Sequence, residues 1–437
     1  MWSLAARRSY NVSDGFLARL IPLLRWRIAI LVSAAIAISY LDRQALPVAV
    51  KAISQTIPLT NEQFSELQSA FLLTYAFLYA GGGKLVDALG TRKGFMAIMI
   101  FWSLACASNA LAMNFAMLAG SRLLLGAGEG GGFPAASRVV SEWFRVDQRA
   151  TAMGIINGGT AVGAVIAPPM ISVIIVYLNW RWVFLVTGAV GLLWVIWWAA
   201  TYKDPQPGPS GESSAAALTV DRIGHASQPA TRWIDLLKIR ECWGLMSAKF
   251  LSDAAWYFYL FWLPKYLYDA RNFDVKAVGS FAWIPYAAAG VGCLMGGWFS
   301  SYLVQRNFSL GLARKLALGL SAAVMPLIIV VTHVPVSWAL VIFSIAYFGQ
   351  QSWSTLVMVL PTDLFPQRVV GSVAGLVGFG GAMGGIVFGQ AAGYLLDHGF
   401  GYDTVFAMAG SLHIIAFLII LFSVPKVQPV VLQQRLS

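Results

Sequence analysis

The chain has 437 residues, of which 58% are hydrophobic and only 11% charged, with 17 Trp, 42 Gly and a mean hydropathy of +0.69. That composition excludes a water-soluble chain, which at this length would divide into two or three domains with charged exteriors. The net charge of +11 does not point to nucleic acid either, because the basic residues sort by loop and form no basic groove.

Apolar runs of about 20 residues, the length an α-helix needs to cross ~30 Å of hydrocarbon, recur along the whole sequence. About twelve are predicted, near 28–50, 63–83, 95–113, 114–137, 150–176, 181–202, 241–268, 277–303, 311–333, 335–360, 371–396 and 401–424. Backbone groups in lipid must bond internally and the alternation of barrel strands is absent, so these are helices of an all-α integral membrane protein. Residues 1–27 carry Arg7-Arg8 and an amphipathic stretch, Phe16 to Arg27. A twin-arginine signal is conceivable there, but without a small-residue cleavage site the better reading is a cytoplasmic segment lying at the interface. With that end inside, most of the 30 Lys and Arg fall on the same side. Only Lys51, Arg181, Lys265, Arg271 and Lys276 lie on the other. This asymmetry places both termini in the cytoplasm of a multi-pass protein.

The first span holds Ser39-Tyr40-Leu41-Asp42-Arg43, and Asp42 lies ~22 Å beyond Arg27 at 1.5 Å per residue. Asp42 and Arg43 are adjacent, point ~100° apart and cannot pair with each other, so each needs a partner elsewhere. In the fourth span Arg122 and Glu129 share a face, ~10 Å apart along the axis. Arg122 is roughly level with Asp42, which predicts an Asp42–Arg122 pair and leaves Arg43, the one unpaired deep arginine, to bind either Glu129 or a substrate carboxylate. A static ion-pair network is the plainer alternative, though four buried charges are expensive if they only hold structure. Such charges in a membrane chain predict a polar cavity for a charged solute.

Between the second and third spans, Gly83-Lys-Leu-Val-Asp87-Ala-Leu-Gly90-Thr-Arg92-Lys93 resembles the G-x-L-x-D-x-x-G-x-[RK]-[RK] loop of the major facilitator superfamily. Gly83 and Gly90 permit a tight turn, and Asp87 is placed to meet a helix N-terminus and basic side chains. The segment reads as a gate, against the simpler reading of an ordinary short loop. The run Arg122…Glu129-Gly-Gly-Gly-Phe-Pro, then Tyr-Leu-Asp42-Arg43-Gln and Gly154-Ile-Ile-Asn157, is similar to the anion:cation symporter branch. Gln351-Ser-Trp353-Ser with Asp363-Leu-Phe-Pro366 looks most like its bacterial hexuronate carriers. The resemblance covers nearly all of the chain except the linker and termini. It implies that Arg43 contacts the substrate carboxylate, that Asp42 and Glu129 carry the coupling protons with Arg122 as their partner, and that Tyr75 is the second-span tyrosine of the site. Ser39 stands where that family commonly has Asn, and Thr160 where galactonate carriers have Gln. The Gly-rich run Gly378–Gly385 lacks their Asn. The resemblance therefore leaves open the contacts to the sugar hydroxyls and the identity of the sugar acid.

Residues 203–240, with Pro205, Pro207 and Pro209, read as a cytoplasmic linker between a half at 28–202 and a half at 241–424, with 425–437 as a tail. The halves repeat: Gly154…Gly159…Gly163 matches Gly375…Gly380…Gly384, at an offset of 221 residues. Parallel repeats with a site between them are a transporter architecture, and glycine spacing alone also serves close packing. In the seventh span Lys249, Asp253 and Tyr257 share a face, where Lys249–Asp253 is a local pair in preference to a ligand site. Tyr40, Asn157, Tyr257, Gln351 and Trp353 are candidate cavity-lining groups. Cys106, Cys242 and Cys293 and the four dispersed His offer no disulfide framework or metal spacing. No activated Ser or Cys or catalytic carboxylate pair marks an enzyme. A ligand sensor would need a cytoplasmic output domain that the linker is too short to be. The expectation is a proton-coupled importer of a sugar acid such as a hexuronate, with other organic anions (aldonate, aromatic or dicarboxylic) as alternatives. It would work as a monomer in a bacterial inner membrane, with protons as coupling ion and no cofactor.

Overall fold

A computed structural model describes residues 12–144, 146–203 and 233–430; side chains at 12–23, 80–84, 87, 146–147, 150, 233–234 and 367–368 are outside that description. Arg7-Arg8, residues 204–232 of the linker and the end of the tail therefore lie outside the described residues. Among the described residues no strand occurs, and the helices line up as twelve rods. These are α1 (Val12–Ser54), α2 (Asn61–Leu89), α3 (Thr91–Ser108) and α4 (Phe115–Glu129, resumed as Gly132–Trp143). Then come α5 (Val146–Tyr177), α6 (Trp180–Thr201), α7 (Arg240–Arg271) and α8 (Val275–Phe281, resumed as Trp283–Gln305). The last are α9 (Leu310–Ala323, continued in 3-10 geometry over Met325–His333), α10 (Val336–Leu364), α11 (Gln367–Asp397) and α12 (Gly401–Ser423).

Short polar caps between the apolar runs start the rods. The Thr60 hydroxyl accepts from Gln63 N while the Gln63 side chain accepts from Thr60 N, a reciprocal cap on α2. Asn114 accepts from Met117 N to open α4, and Asn179 from Arg181 N to open α6. Eight rods are apolar enough to cross a membrane by length and composition, namely α1, α3, α5, α6, α8, α9, α11 and α12. The other four depart for visible reasons. α4 is broken at Gly130-Gly131, and α2, α7 and α10 turn polar residues inward, among them Gln68, Lys249, Asp253 and Gln350, all buried. On the outward faces large apolar side chains stay exposed, such as Ile196 and Phe422, as suits helices that meet lipid tails.

The repeated glycines explain the pairing within each half. A Cβ at Gly163 of α5 would overlap the carbonyl oxygen of Ala37 in α1, and one at Gly384 of α11 would overlap that of Phe250 in α7. Only glycine lets the backbones come that close, so α1 packs on α5 and α7 on α11 by the same device. The two six-helix halves, α1–α6 and α7–α12, meet mainly along α2–α11 and α5–α8, with α1 against α7.

The hydrogen bonds joining the halves gather where α1 ends and α2 begins. Asp397 of α11 accepts from Asn61 N at 3.0 Å, Asn61 Nδ2 at 2.7 Å and Glu62 N at 2.8 Å, so one half caps the other's helix. Lys51 donates to Phe273 O at 3.1 Å, Tyr268 to Val48 O at 2.7 Å and Gln390 to Ser69 at 2.8 Å. This end of the bundle is sealed. A cavity of about 440 Å³ lies between the halves, among α1, α5, α7, α8 and α10.

Candidate functional site

The site is built on one turn of α1. Ser39 and Arg43 are four residues apart, hence on one face, and both reach Glu129 at the end of the first segment of α4. Arg43 Nε lies 2.7 Å from Glu129 Oε2, and Ser39 Oγ donates to the same oxygen at 2.6 Å. Arg43 is 2% exposed, and its guanidinium sits among rings, with centroids at 4.5 Å (Tyr75), 4.8 Å (Tyr40) and 5.3 Å (Phe71). Each ring face attracts a desolvated cation by about 0.5–2 kcal/mol. Removing one partner of such a pair leaves the other charge uncompensated, at about 3–5 kcal/mol.

Asp42 does not pair with Arg122, contrary to the expectation from depth. Its carboxylate turns toward α3, accepting from Trp102 Nε1 at 3.1 Å and Cys106 Sγ at 3.3 Å, and Cys106 in turn lies 3.2 Å from Thr187 Oγ1. Arg122 turns toward α2, donating from Nη2 to Gln68 Oε1 at 2.9 Å with its guanidinium 4.8 Å from the centre of the Phe71 ring. Helical rise sets the height of a residue, but its direction around the axis is set by the neighbour it packs on. Of the two partners expected for Arg43 the structure shows Glu129, so Arg43 is not the unpaired deep arginine, whereas Nε and Nη1 of Arg122 have no hydrogen-bond partner.

Tyr40 links this cluster to the cavity, which Asn157, Thr160, Trp256, Tyr286 and Gln351 also line. Tyr40, Asn157 and Gln351, inferred separately from sequence, are thus brought together. Tyr75 stays on the α2 side, stacked on Phe71 at 5.7 Å, and Tyr257 stacks on Phe261 at 5.7 Å. Trp353 does not face the cavity. Two residues beyond Gln351 it points to the opposite side of α10, fully buried against His413 (5.6 Å) and Phe417 (6.4 Å) of α12. Lys249 pairs with Asp253 at 2.9 Å and donates to Ser354 at 2.8 Å, a local pair in the wall of the C-terminal half.

At the opposite end from the seal, Gly90 has φ 77°, left-handed backbone that only glycine takes without strain, and it divides α2 from α3. Arg92 donates to Ala199 O at 2.6 Å, within its own half. Gly83 and the side chain of Asp87 lie outside the described side chains. Nearby, Glu142 accepts from Thr91, Arg138 and Tyr202 at 2.7, 2.7 and 3.1 Å. Its repeat counterpart Asp363 pairs with Arg314 at 2.9 Å. Sequence reasoning missed Gln68, Trp102, Cys106 and Tyr286, which are ordinary residues of apolar runs, and the buried hydrogen bond between His413 and Gln350. The one available signal was a polar residue inside a span.

Residues 32–389 match the family model described as Major Facilitator Superfamily. The chain is 29% identical over 405 residues to the hexuronate transporter of Escherichia coli (strain K12), covering 91% of this chain and 93% of that one. It is 33% identical to the galacturonate transporter of Dickeya chrysanthemi, over 69% of this chain and 89% of the relative. With a probable sulfoacetate transporter of Cupriavidus necator it shares 31% identity, over 89% and 91%. Among solved structures, an inward-open xylose transporter from Escherichia coli superimposes with a TM-score of 0.72 at 14% identity, over 92% of this chain and 96% of that one. A bacterial homologue of the lysosomal transporter Spinster, inward-facing and unoccupied, gives 0.69 at 17% identity, over 92% and 96%. At such identities these two likenesses speak to the fold alone.

Proposed function

The chain belongs to the major facilitator superfamily, and from that premise we propose that it is a proton-coupled symporter importing a sugar acid, such as a hexuronate, by alternating access. The observation that carries the reading is the buried Arg43–Glu129 pair beside a cavity between the halves. A guanidinium offers a planar fork that fits a carboxylate in two parallel hydrogen bonds. Glu129 already holds one arm of the guanidinium, Nε, as an internal carboxylate, so it competes with any anion arriving through the cavity. Protonating Glu129 removes the competitor's charge and frees Arg43 for the solute, and releasing the solute returns Arg43 to Glu129. Asp42, one residue away in its own polar niche, is the second proton carrier.

The relatives' named solutes are chemically varied, but each carries an anionic group, which is what Arg43 would read. Tyr40, Asn157 and Gln351 would then meet the hydroxyl groups, with Tyr75 and Tyr257 in the surrounding walls. Import of one anion against an inside-negative potential costs ~2.3 kcal/mol per 100 mV; one accompanying proton cancels that cost, and a second makes the cycle electrogenic and driven inward by the potential as well. With both termini in the cytoplasm of a bacterial cell, the sealed end faces outward and the structure is the inward-facing state. The carrier acts as a monomer with Gly83–Arg92 at its cytoplasmic gate.

The test is a ligand-dependent melting screen over sugar acids, followed by counterflow in proteoliposomes, which only a carrier supports. Arg43→Ala should abolish the melting shift, and Arg43→Lys, which keeps the charge without the fork, should retain only part of it. Near-normal affinity in Arg43→Ala would remove this residue from the site, and binding without counterflow would make the protein a sensor.

A further inference from the structure

Pro264 interrupts the hydrogen-bond ladder of α7, because it has no N–H to offer the carbonyl four residues earlier. That carbonyl belongs to Leu260. It is satisfied from the other half of the molecule, since Gln44 of α1 donates Nε2 to Leu260 O at 3.1 Å. Tyr286 of α8 stands beside them, its hydroxyl 3.1 Å from Leu260 O and 3.2 Å from Gln44 Oε1, so its single proton can serve either acceptor. Gln44 is wholly buried and Tyr286 is 1% exposed.

The position of Gln44 in the chain gives this contact its meaning. It follows Arg43 directly, so it leaves α1 ~100° further round the helix. Arg43 turns into the N-terminal half, to Glu129, while Gln44 turns into the C-terminal half, to Leu260. The same turn of α1 thus holds the anion-binding group and the deepest hydrogen bond of the seal. Above it lie the Tyr268–Val48, Lys51–Phe273 and Asp397–Asn61 bonds. The two states are also unequal in a useful way. If Gln44 withdraws, the Tyr286 proton goes entirely to Leu260 O, and the proline-freed carbonyl is never left bare.

We propose that Gln44 is the positioning residue through which a change of partner at Arg43 is transmitted to the sealed end, its grip on Leu260 O closing that end and Tyr286 relieving Leu260 when it opens. The proposal rests on Arg43 being the solute-binding group of the carrier described above. Only a contact made in one state and lost in the other can shift the balance between them, and the Gln44 bond is of that kind.

The experiment uses the full-length protein in proteoliposomes, with Cys106→Ser, Cys242→Ala and Cys293→Ala and one new cysteine, Ser65→Cys. Ser65 is buried at the sealed end, where it packs against Gly393 of α11. Its rate of reaction with an impermeant maleimide reads the opening of that end. Gln44→Met, similar in length but without the amide, should raise the rate on the order of ten-fold. Tyr286→Phe should lower it, because the open state then leaves Leu260 O without a partner. Opposite signs are the point, since general loosening of the packing would move both variants upward. Glu129→Gln frees Arg43 without any ligand and should raise the rate in the Gln44 protein but not further in Gln44→Met. Shifts of one sign in both variants, or a Glu129→Gln effect that persists undiminished in Gln44→Met, would overturn the proposal. No solute is present in these measurements, so a wrong assignment of the transported anion leaves every outcome in force.

Discussion

Replacing Glu129 by Gln tests the competition for Arg43 on which the proposed transport cycle rests. The amide keeps the size of the carboxyl and an oxygen to accept from Arg43 Nε and Ser39 Oγ, now 2.7 and 2.6 Å away. What is lost is the charge. Arg43 keeps its own charge, so its bond to the amide stays charge-assisted; what goes is the ion–ion attraction, offset in part by the cheaper burial of a neutral side chain, which releases on the order of 1–2 kcal/mol of Arg43's attachment to position 129. An anion that competes for Arg43 should then bind about 5–30-fold more tightly. Transport should divide. Counterflow of labelled solute survives, because exchange needs no net proton movement, whereas accumulation driven by an imposed pH gradient fails, because the carboxyl that took up the proton is gone. Both assays are run on one preparation, with the melting shift as the measure of affinity. If exchange and accumulation disappear together in a folded variant, Glu129 serves binding or folding and the coupling role passes to Asp42. If both persist, Glu129 is a bystander.

Gly163→Ala and Gly384→Ala should each destabilise the protein by about 1–3 kcal/mol in detergent melting, since the new methyl meets a backbone carbonyl that a helix must move to accommodate. The two effects should be similar in size, and a neutral Gly384→Ala would break the structural equivalence of the halves. Trp353→Phe should leave solute affinity unchanged, because the indole N–H has no partner and the ring faces α12. Gln351→Ala, in the cavity wall, should weaken affinity by about 1 kcal/mol, about five-fold. The opposite ranking would put Trp353 back in the cavity.

Much of the fold was legible because the membrane imposes simple rules. Apolar runs had to be helices, and the glycines at 159 and 163, repeated at 380 and 384, marked where helices approach closely. The eight rods that meet the length-and-composition measure are also the simplest to read. α7 and α10 are harder for a physical reason: Lys249, Asp253 and Gln350 lower their hydropathy while lying buried inside the protein, where lipid never meets them. The site was legible in its members and less so in its pairings. An ionisable residue in an apolar run stands out, so Asp42, Arg43, Arg122 and Glu129 could be named at once. Their partners depend on rotation about each helix axis, which the helices packed alongside decide. Arg122 finds Gln68 on α2 and Asp42 finds Trp102 on α3, although the two charges were placed at similar depth.

The same limit applied to Gln351 and Trp353, two residues apart and on opposite sides of α10. It also hid Gln44, whose role follows from a proline in the other half that no local pattern connects to it. These cases share a cause. A polar side chain in a membrane protein is under pressure to find a partner, and in a two-half carrier that partner can lie in its own half or across the cavity. A bond within a half, such as Arg43–Glu129, lies on one side of the cavity and need not break when the halves move against each other. A bond across the halves, such as Gln44–Leu260, would on the proposal above be made in one state and broken in the other, so its free energy would enter the conformational balance directly. With one residue of each kind side by side on α1, the proposal needs no more than a single helical turn to carry a change at the first to the second.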